Sequence, residues 1–185
     1  MRILILLLLC SCAQHTPHPI YTKNVQNYAR AIEASKDMEI AERQWTEILK
    51  QEPIIEGNQK PSLEVLKTIN DMINRKPYKI SGWLSPQQFE QAPYSDCKGY
   101  AVAKYYALRR AGWKKSDLNL WSGDYIVRGL IQDEKIPHLI LVANINGKQR
   151  VLDIGSEGNL PLAKDYFYKR FMPAYRFNEN GWDVN

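Results

Sequence analysis

The dipeptide Asn146-Gly147 separates two apolar runs, and it constrains the fold more than any other feature of this 185-residue chain. Asn-Gly between apolar runs is a strong signal for a β-hairpin, because both residues tolerate the positive φ angles of a tight turn. The sequence therefore predicts two antiparallel strands, at residues 138–145 and 149–154. A third strand is predicted at residues 118–128.

Helical periodicity is found before and after these strands. Apolar residues recur at intervals of three and four over residues 22–51, which predicts one or two helices, and another helix is predicted from Pro61-Ser62 onward. Residues 76–94 contain three prolines and are predicted to be irregular. The aromatic-rich C-terminal part predicts one more helix and a closing strand.

A further helix is predicted to begin beside Cys97. Ser95 or Asp96 is a natural N-cap, and Gly112 is expected to end the helix. Cys97 then lies in the first helical turn, where the partial positive charge and unpaired backbone N–H groups favour a thiolate over a thiol. This position suits a nucleophile, and the alternative is a buried cysteine that only packs.

The first twelve residues predict a secretory signal. Arg2 supplies a positive charge, residues 3–9 form an unbroken apolar run, and small residues follow. The run is too short to span a bilayer, which needs about 20 apolar residues. Residues 9–12 read Leu-Cys-Ser-Cys and resemble a bacterial lipobox, which predicts acylation of Cys12. Simple cleavage with release and an uncleaved N-terminal anchor are the alternatives.

These features divide the chain into three parts. Residues 1–12 are predicted to be a lipoprotein signal peptide, residues 13–21 a flexible tether, and residues 22–185 one folded domain. The protein is expected on the periplasmic face of the bacterial outer membrane, to which the N-terminal lipid would anchor it. The formal charge of +5 is spread along the chain, so no nucleic-acid partner is expected.

Cysteine and histidine are scarce in the predicted domain. Cys97 is its one cysteine and His138 its one histidine, because His15 and His18 fall in the tether. A single Cys-His pair makes a zinc site improbable, and no metal or other cofactor is expected. Antiparallel pairing would bring His138 close to Asp153, with a bulge adjusting the register. The prediction is a Cys97 nucleophile, a His138 base and an orienting Asp153, although such residues also occur together by chance.

Four segments occur in an order that matches a known family. Residues 96–105 read DCKGYAVAKY, residues 83–89 read WLSPQQF, residues 138–142 read HLILV, and residues 151–153 read VLD. They resemble the D-C-x-x-Y-A-x-A-K-Y, W-x-[ST]-P-x-E-x, H-A-V-L-x-V and V-L-D segments of the bacterial transglutaminase-like cysteine peptidases. The resemblance implies an α+β fold with a papain/transglutaminase-like core, in which the nucleophile-bearing helix packs on an antiparallel sheet behind N-terminal helices.

The same resemblance implies an activity. It implies a cysteine peptidase that acts on a protein or peptide substrate in the cell envelope. The alternatives are another acyl-transfer enzyme on the same core, such as an amidase or a crosslinking enzyme, and a non-catalytic lipoprotein. The backbone N–H of Cys97 is the expected first oxyanion donor, and Gln87, Gln88 or Trp83 is the expected second donor.

One departure from the family pattern concerns calcium. The family's calcium-linked D-C-E-D cluster reads Asp96-Cys97-Lys98-Gly99 in this chain. Two acidic oxygen ligands of the kind that Ca²⁺ needs are therefore replaced, one of them by a cation. Activity is expected to persist in a calcium chelator.

Overall fold

The structure, a computed structural model, describes residues 19–156 and 158–184, with side chains described for residues 35–156 and 158–183. A 3-10 turn at Lys115–Asp117 precedes the first strand. The helices and strands in chain order are α1 (Pro19–Gln51), α2 (Leu63–Asn74), α3 (Pro86–Gln91), α4 (Cys97–Arg110), β1 (Leu118–Val127), β2 (Glu134–Ile145), β3 (Lys148–Leu152), α5 (Ala163–Lys169), β4 (Phe171–Asn178) and β5 (Gly181–Val184).

The strands form one antiparallel sheet in the order β3-β2-β1-β4-β5. Helix α4 packs on β2, and α2 and α3 pack on α4. The main core lies between α4 and the sheet, where Tyr105, Leu108 and Leu141 are completely buried. The predicted α+β class and the predicted hairpin at Asn146-Gly147 are both confirmed.

Helix α1 is fixed to the body of the protein by Trp45. The Trp45 ring packs edge-on against Tyr105 at 5.2 Å and Tyr106 at 6.1 Å, both on α4, and against Phe177 of β4 at 5.8 Å. Aromatic pairs in this arrangement contribute about 0.5–1.5 kcal/mol each beyond the burial of their area. These contacts place α1 over the junction of α4 and the sheet.

Helix α4 has the ends that the sequence predicts. Asp96 is its N-cap, and the Asp96 Oδ1 atom accepts a hydrogen bond from the backbone N–H of Lys98 at 3.0 Å. Beyond the C-cap Ala111, Gly112 has a φ of +91° and leaves no room for a side chain, because an added Cβ would lie 2.2 Å from the carbonyl oxygen of Gln59. Cys97 is therefore the first residue of the helix.

Two sequence predictions need correction. Residues 76–94 are not irregular throughout, because Ser85 and Gln88 form a capping box that starts α3 at Pro86. Strand β2 begins at Glu134, four residues before the predicted start. It can include Pro137 because β3 pairs with β2 from Leu141 onward, so the proline faces an open edge.

The predicted signal peptide, residues 1–12 with Cys12, lies outside the described residues. So do residues 13–18 of the predicted tether, whereas residues 19–21 form the start of α1. None of the helices that the structure describes is both long enough and apolar enough to cross a membrane.

Candidate active site

Cys97 lines a cleft of about 210 Å³. The residue is 7% exposed, and His138 lines the same cleft. Trp83 and Tyr175 form parts of the walls, and α1 closes one side. The cleft is lined by Asp37, Ile40, Ala41, Trp83, Cys97, Lys98, Ser122, Pro137, His138, Leu139 and Tyr175.

The segment before α4 is held to the helix start by Asp96. Its Oδ2 atom accepts hydrogen bonds from the backbone N–H groups of Ser81 at 3.1 Å and Gly82 at 2.8 Å, and from Lys98 Nζ at 2.7 Å. Burial acts to raise the pKa of Asp96, but these donors outweigh it and lower the pKa below its usual value. Asp96 is thus a fixed carboxylate directly beside Cys97.

His138 forms the second part of the site. It lies in β2 opposite Gly123 of β1, and its Nε2 atom is 2.8 Å from the Oδ1 atom of Asp153. With Nε2 engaged by Asp153, Nδ1 is the nitrogen left to face Cys97, whose side chain contributes to raising the pKa of the imidazole. The structure therefore brings His138 and Asp153 into hydrogen-bond contact beside a cleft that both His138 and Cys97 line.

Asp153 reaches His138 without the predicted bulge. The β2–β3 register is regular from Leu141 opposite Leu152 to the turn, and β3 ends at Leu152. Continuing that register would put Asp153 opposite Ile140, two residues from His138. The chain instead leaves the sheet after Leu152, and the Asp153 side chain points back to the imidazole. The side chain of Asp153, rather than an extra backbone residue, spans the two-residue offset between Asp153 and His138.

The charges of His138 and Asp153 support each other. Burial opposes the charged imidazole, but hydrogen bonds and charge interactions with Asp153 and Cys97 outweigh it and raise the pKa of His138 to about 10. Burial likewise acts to raise the pKa of Asp153, but the hydrogen bond and charge of His138 lower it below its usual value. An imidazolium and a carboxylate are therefore expected at neutral pH.

Tyr166 is a further partner of Asp153 that sequence reasoning missed. Its hydroxyl, on α5, donates a short hydrogen bond to Asp153 Oδ2, while the N–H of Ile154 donates to Oδ1 at 2.7 Å. Burial, followed by the charge of Asp153, raises the pKa of Tyr166 far above its usual value, so the hydroxyl stays a donor. No local pattern connects Tyr166 to Asp153, because helix α5 returns to the site only through tertiary packing.

The backbone of Asp153 is also anchored. Its N–H donates to Ser156 Oγ, and that hydroxyl donates to its carbonyl oxygen, each at 2.9 Å. Asn74, at the end of α2, donates its Nδ2 to the carbonyl oxygens of Asp153 at 3.0 Å and Ile154 at 3.1 Å. Asn74 is 79 residues away in sequence, so the sequence carries no signal for this contact.

The three predicted oxyanion donors occupy different surroundings. Trp83 lines the cleft beside Cys97. Gln88 is exposed, and its Oε1 atom accepts from the N–H of Ser85 at 2.9 Å in the α3 capping box. Gln87 is also exposed, and neither glutamine is among the described residues that line the cleft. The geometry brings Trp83 to the cleft that Cys97 lines and leaves both glutamines on the exposed surface of α3.

No model of a protein family matches the chain, and no curated protein matches it either. Solved structures of LapG from Legionella pneumophila do match. The calcium-bound form has a TM-score of 0.55 at 19% identity and covers 83% of this chain and 87% of that chain. The EGTA-treated form has a TM-score of 0.56 at 19% identity and covers 85% of this chain and 84% of that chain. A third LapG structure has a TM-score of 0.55 at 19% identity and covers 85% of this chain and 86% of that chain.

The chain has the LapG fold. The transglutaminase-like core that the sequence resemblance implies is thus confirmed as an architecture over most of the chain. At 19% identity the likeness establishes the fold alone. The LapG match and the contacts of Cys97, His138 and Asp153 are two separate observations, one of the backbone and one of the side chains.

Proposed function

We propose that this protein is a cysteine hydrolase, a peptidase that cleaves a protein of the bacterial cell envelope. Cys97 is the nucleophile, His138 the general base and acid, and Asp153 the residue that orients the imidazole. The observation that carries the proposal is the 2.8 Å contact of His138 Nε2 with Asp153 Oδ1, in an imidazole that lines the same cleft as Cys97.

The charge state of His138 supports the role of Cys97. A pKa of about 10 keeps the imidazole protonated at neutral pH, and a positively charged group beside a cysteine favours its thiolate form. The first turn of α4 adds a partial positive charge beside the sulfur atom. Both effects favour a thiolate–imidazolium pair, which is the reactive form of a cysteine hydrolase.

Acylation follows from this pair. The thiolate attacks the carbonyl carbon of the scissile amide and forms a C–S bond, and the carbonyl oxygen becomes an oxyanion. The imidazolium of His138 then donates its proton to the departing nitrogen as the C–N bond breaks. The products of this half-reaction are a free amine and a thioester on Cys97.

Deacylation reverses the roles. Neutral His138 takes a proton from water, the resulting hydroxide attacks the thioester, and the C–S bond breaks to release a carboxylic acid and restore the thiolate. Asp153 stays ionised throughout and stabilises the imidazolium whenever it forms. The backbone N–H of Cys97, in the first helical turn, would be one donor for the oxyanion, and Trp83, which lines the same cleft, would be the second.

The site is proposed to work without calcium. LapG has been determined both calcium-bound and EGTA-treated. In this chain the Nζ atom of Lys98 lies 2.7 Å from Asp96 Oδ2, so a side-chain cation already neutralises the carboxylate beside Cys97. A divalent cation at Asp96 would have to displace the lysine. Hydrolysis is expected to continue in EGTA.

The proposal is tested by the protein termini that the enzyme creates. Full-length protein and its Cys97→Ala variant are expressed in the same strain, and envelope proteins are compared by mass spectrometry of their N-terminal peptides, with and without EGTA. Ser116→Ala, on the exposed side of the 3-10 turn, is the matched control. New N termini that require Cys97 and persist in EGTA support the proposal.

Three other outcomes contradict it in different ways. Identical N termini in wild type and Cys97→Ala, with Cys97-dependent crosslinks or amide loss elsewhere, would identify another acyl-transfer enzyme. Identical N termini with no Cys97-dependent modification would make the chain a non-catalytic lipoprotein. Termini that vanish in EGTA and return with Ca²⁺ would refute the calcium-independent mechanism.

A further inference from the structure

The hairpin of β1 and β2 extends beyond the rest of the sheet. Strand β4 pairs with β1 only as far as Tyr125, and β3 pairs with β2 only from Leu141 onward. Residues 126–135 therefore form a two-stranded arm, and residues 127–137 are all exposed. A two-stranded hairpin gains little stability by itself in water, and the proposed hydrolysis does not use this one.

The tip of the arm carries two adjacent apolar side chains. Leu130 and Ile131 are both fully exposed. The turn that bears them is tight, because a Cβ atom added at Gly129 would lie 2.1 Å from the carbonyl oxygen of Gln132. Single exposed apolar residues are common on protein surfaces, but a contiguous group of them indicates a contact with a membrane or with another protein.

A basic hollow lies between the arm and the end of α5. Arg128 forms an ion pair with Asp133, and the Nη1 atom of Arg170 donates to the Tyr125 hydroxyl at 2.9 Å. Lys169 and Arg170 are both exposed. None of the described residues that line the hollow carries a carboxylate; they are Tyr125, Ile126, Val127, Arg128, Tyr168, Lys169 and Arg170.

These two features together fit a lipid surface better than a protein surface. Proteins that bind at a bilayer interface place apolar side chains at the acyl boundary and cations at the phosphate groups of anionic lipids. Tyrosine is enriched at the level of the headgroups, and Tyr168, in the wall of the hollow, is 85% exposed. The apolar tip, the exposed tyrosine and the cations of the hollow supply all three kinds of group.

Helix α1 extends past the cleft on the same side of the molecule as the arm. Trp45 packs on Phe177 of β4, whereas Asp37, nearer to the start of α1, lines the cleft with Tyr175 of β4. Strand β4 is antiparallel to β1, so the step from Phe177 to Tyr175 runs toward the arm. The start of α1 and the tip of the arm therefore lie beyond the cleft in the same direction.

We propose that the arm is a membrane contact of the folded domain, in which Leu130 and Ile131 enter an anionic phospholipid bilayer and the cations of the hollow meet its phosphate groups. This contact is separate from any lipid on Cys12, and it uses no property of Cys97. Its base reaches the cleft through Pro137, so the bilayer lies beside the cleft.

The first test measures vesicle binding in the full chain carrying Cys12→Ser, which cannot be acylated at that residue. Flotation with vesicles of phosphatidylethanolamine and phosphatidylglycerol compares this parent with Leu130→Ser/Ile131→Ser. Binding should fall at least about tenfold, because two apolar side chains no longer leave water. Ile55→Ser/Met72→Ser, which removes two other exposed apolar side chains, is the matched control and should bind like the parent.

The second test addresses the cations. Lys169→Gln/Arg170→Gln should weaken binding to the anionic vesicles several-fold and leave the weaker binding to pure phosphatidylcholine vesicles unchanged. Lys114→Gln/Lys115→Gln, at two other exposed positions, is the control for the loss of two positive charges. Equal losses in the two variants would show that net charge, rather than the hollow, attracts the protein.

The third test detects contact between the tip and the lipid directly. Ile131→Trp adds one tryptophan to the five of the parent, and Ile55→Trp adds one at an exposed position elsewhere. With vesicles whose acyl chains carry bromine, the added emission of Ile131→Trp should shift to the blue and be quenched, whereas that of Ile55→Trp should not. This readout is insensitive to membrane binding by the N-terminal residues.

The other outcomes overturn the proposal. Unchanged vesicle binding in Leu130→Ser/Ile131→Ser and an unquenched Ile131→Trp would exclude a membrane contact, and tip-dependent crosslinks to an envelope protein would then identify a protein-docking surface. Binding that inorganic phosphate abolishes, when chloride at equal ionic strength does not, would make the hollow a site for free phosphate. Cys97→Ala should bind vesicles like the parent, so the result does not depend on the proposed hydrolysis.

Discussion

The carboxylate of Asp153 is held in place by an unusually complete set of hydrogen bonds. Its side chain accepts hydrogen bonds from His138, Tyr166 and the N–H of Ile154, and its backbone is held by Ser156 and Asn74. A carboxylate with its acceptor positions filled in this way has little freedom to rotate. The imidazole that it binds is consequently held in one orientation, which is what the proposed role of His138 needs.

Tyr166→Phe tests this support at a single atom. The substitution removes the hydroxyl that donates to Asp153 Oδ2 and leaves the ring in place. A hydrogen bond to a charged group contributes about 1.5–3 kcal/mol, so we expect a loss of about tenfold in Cys97 alkylation rate at pH 6. Tyr168→Phe, which changes a ring that is 85% exposed, should have no effect. Equal rates in the two variants would exclude a role for the Tyr166 hydroxyl.

The pH dependence of stability tests the charge on His138. Its pKa is raised from 6.5 to about 10, so the interactions of the imidazolium stabilise the fold fully below about pH 6.5 and are lost as pH rises through about 10. The difference in unfolding free energy between wild type and His138→Gln should be largest near pH 6 and shrink toward pH 10. Urea unfolding at several pH values measures it, and a difference that grows with pH would contradict the assignment.

The residues of the site differ in how far sequence reveals them. Cys97 is recognisable from its N-cap and its place at a helix start, and His138 from its place in a hairpin strand. Asp153 is recognisable as a candidate, but its two-residue offset from His138 depends on where the chain leaves the sheet. Tyr166 and Asn74 are invisible to local patterns, because only the packing of α5 and α2 brings them to Asp153.

At the scale of elements, β1 must lie close to β4 for His138 to face the cleft. Gly123, the partner of His138 on β1, sits where the β1–β4 register shifts. A Cβ atom added at Gly123 would lie 2.2 Å from the carbonyl oxygen of Met172 and 2.9 Å from Cα of Pro173. These neighbours are backbone atoms, so the strands themselves would have to move apart.

Gly123→Ala should therefore destabilise the fold by about 1–3 kcal/mol and displace His138. Gly155→Ala is the matched control, because its added Cβ would meet no atom within 4 Å. Chemical denaturation compares the two variants with wild type. Equal stability of Gly123→Ala and wild type would show that β1 and β4 can separate without cost.

Local sequence signals predict some of the helices and strands better than others. The β2–β3 hairpin and α4 match their local turn and capping signals closely. Helix α3 is obscured by the prolines around it, although the Ser85–Gln88 capping box is present in the sequence. Strand β2 can start early because β3 is short and leaves Pro137 at an open edge of the sheet. The length of β3 cannot be read from the sequence around Pro137, so the start of β2 was not predicted.

For the whole molecule, α1 connects the cleft with the N-terminal segment. Ile40 and Ala41 of α1 line the cleft, and the helix begins at Pro19. At 1.5 Å per residue, the cleft lies about 30 Å along the helix from that start. If Cys12 carries the lipid and the proposed hydrolase activity holds, the substrates would lie within a short distance of the membrane surface.

Cys12→Ser tests this arrangement. The wild-type protein should carry a lipid adduct on its N-terminal peptide and stay with the membrane fraction at low detergent, whereas Cys12→Ser should lack the adduct. Mass spectrometry of the N-terminal peptide and membrane fractionation measure the two properties. A wild-type protein without lipid that leaves the membrane at low detergent would refute the predicted anchor and leave the cleft chemistry unaffected.

The central claim is that His138 and Asp153 hold Cys97 as a reactive thiolate, and site-resolved alkylation of Cys97 at pH 6 tests it most directly. An ordinary thiol, with a pKa of about 8.5, is less than about 1% thiolate at that pH. Iodoacetamide labelling of the Cys97 peptide should be at least about tenfold faster in wild type than in His138→Ala, with Asp153→Asn between them. Equal, slow rates in all three folded proteins would contradict the account.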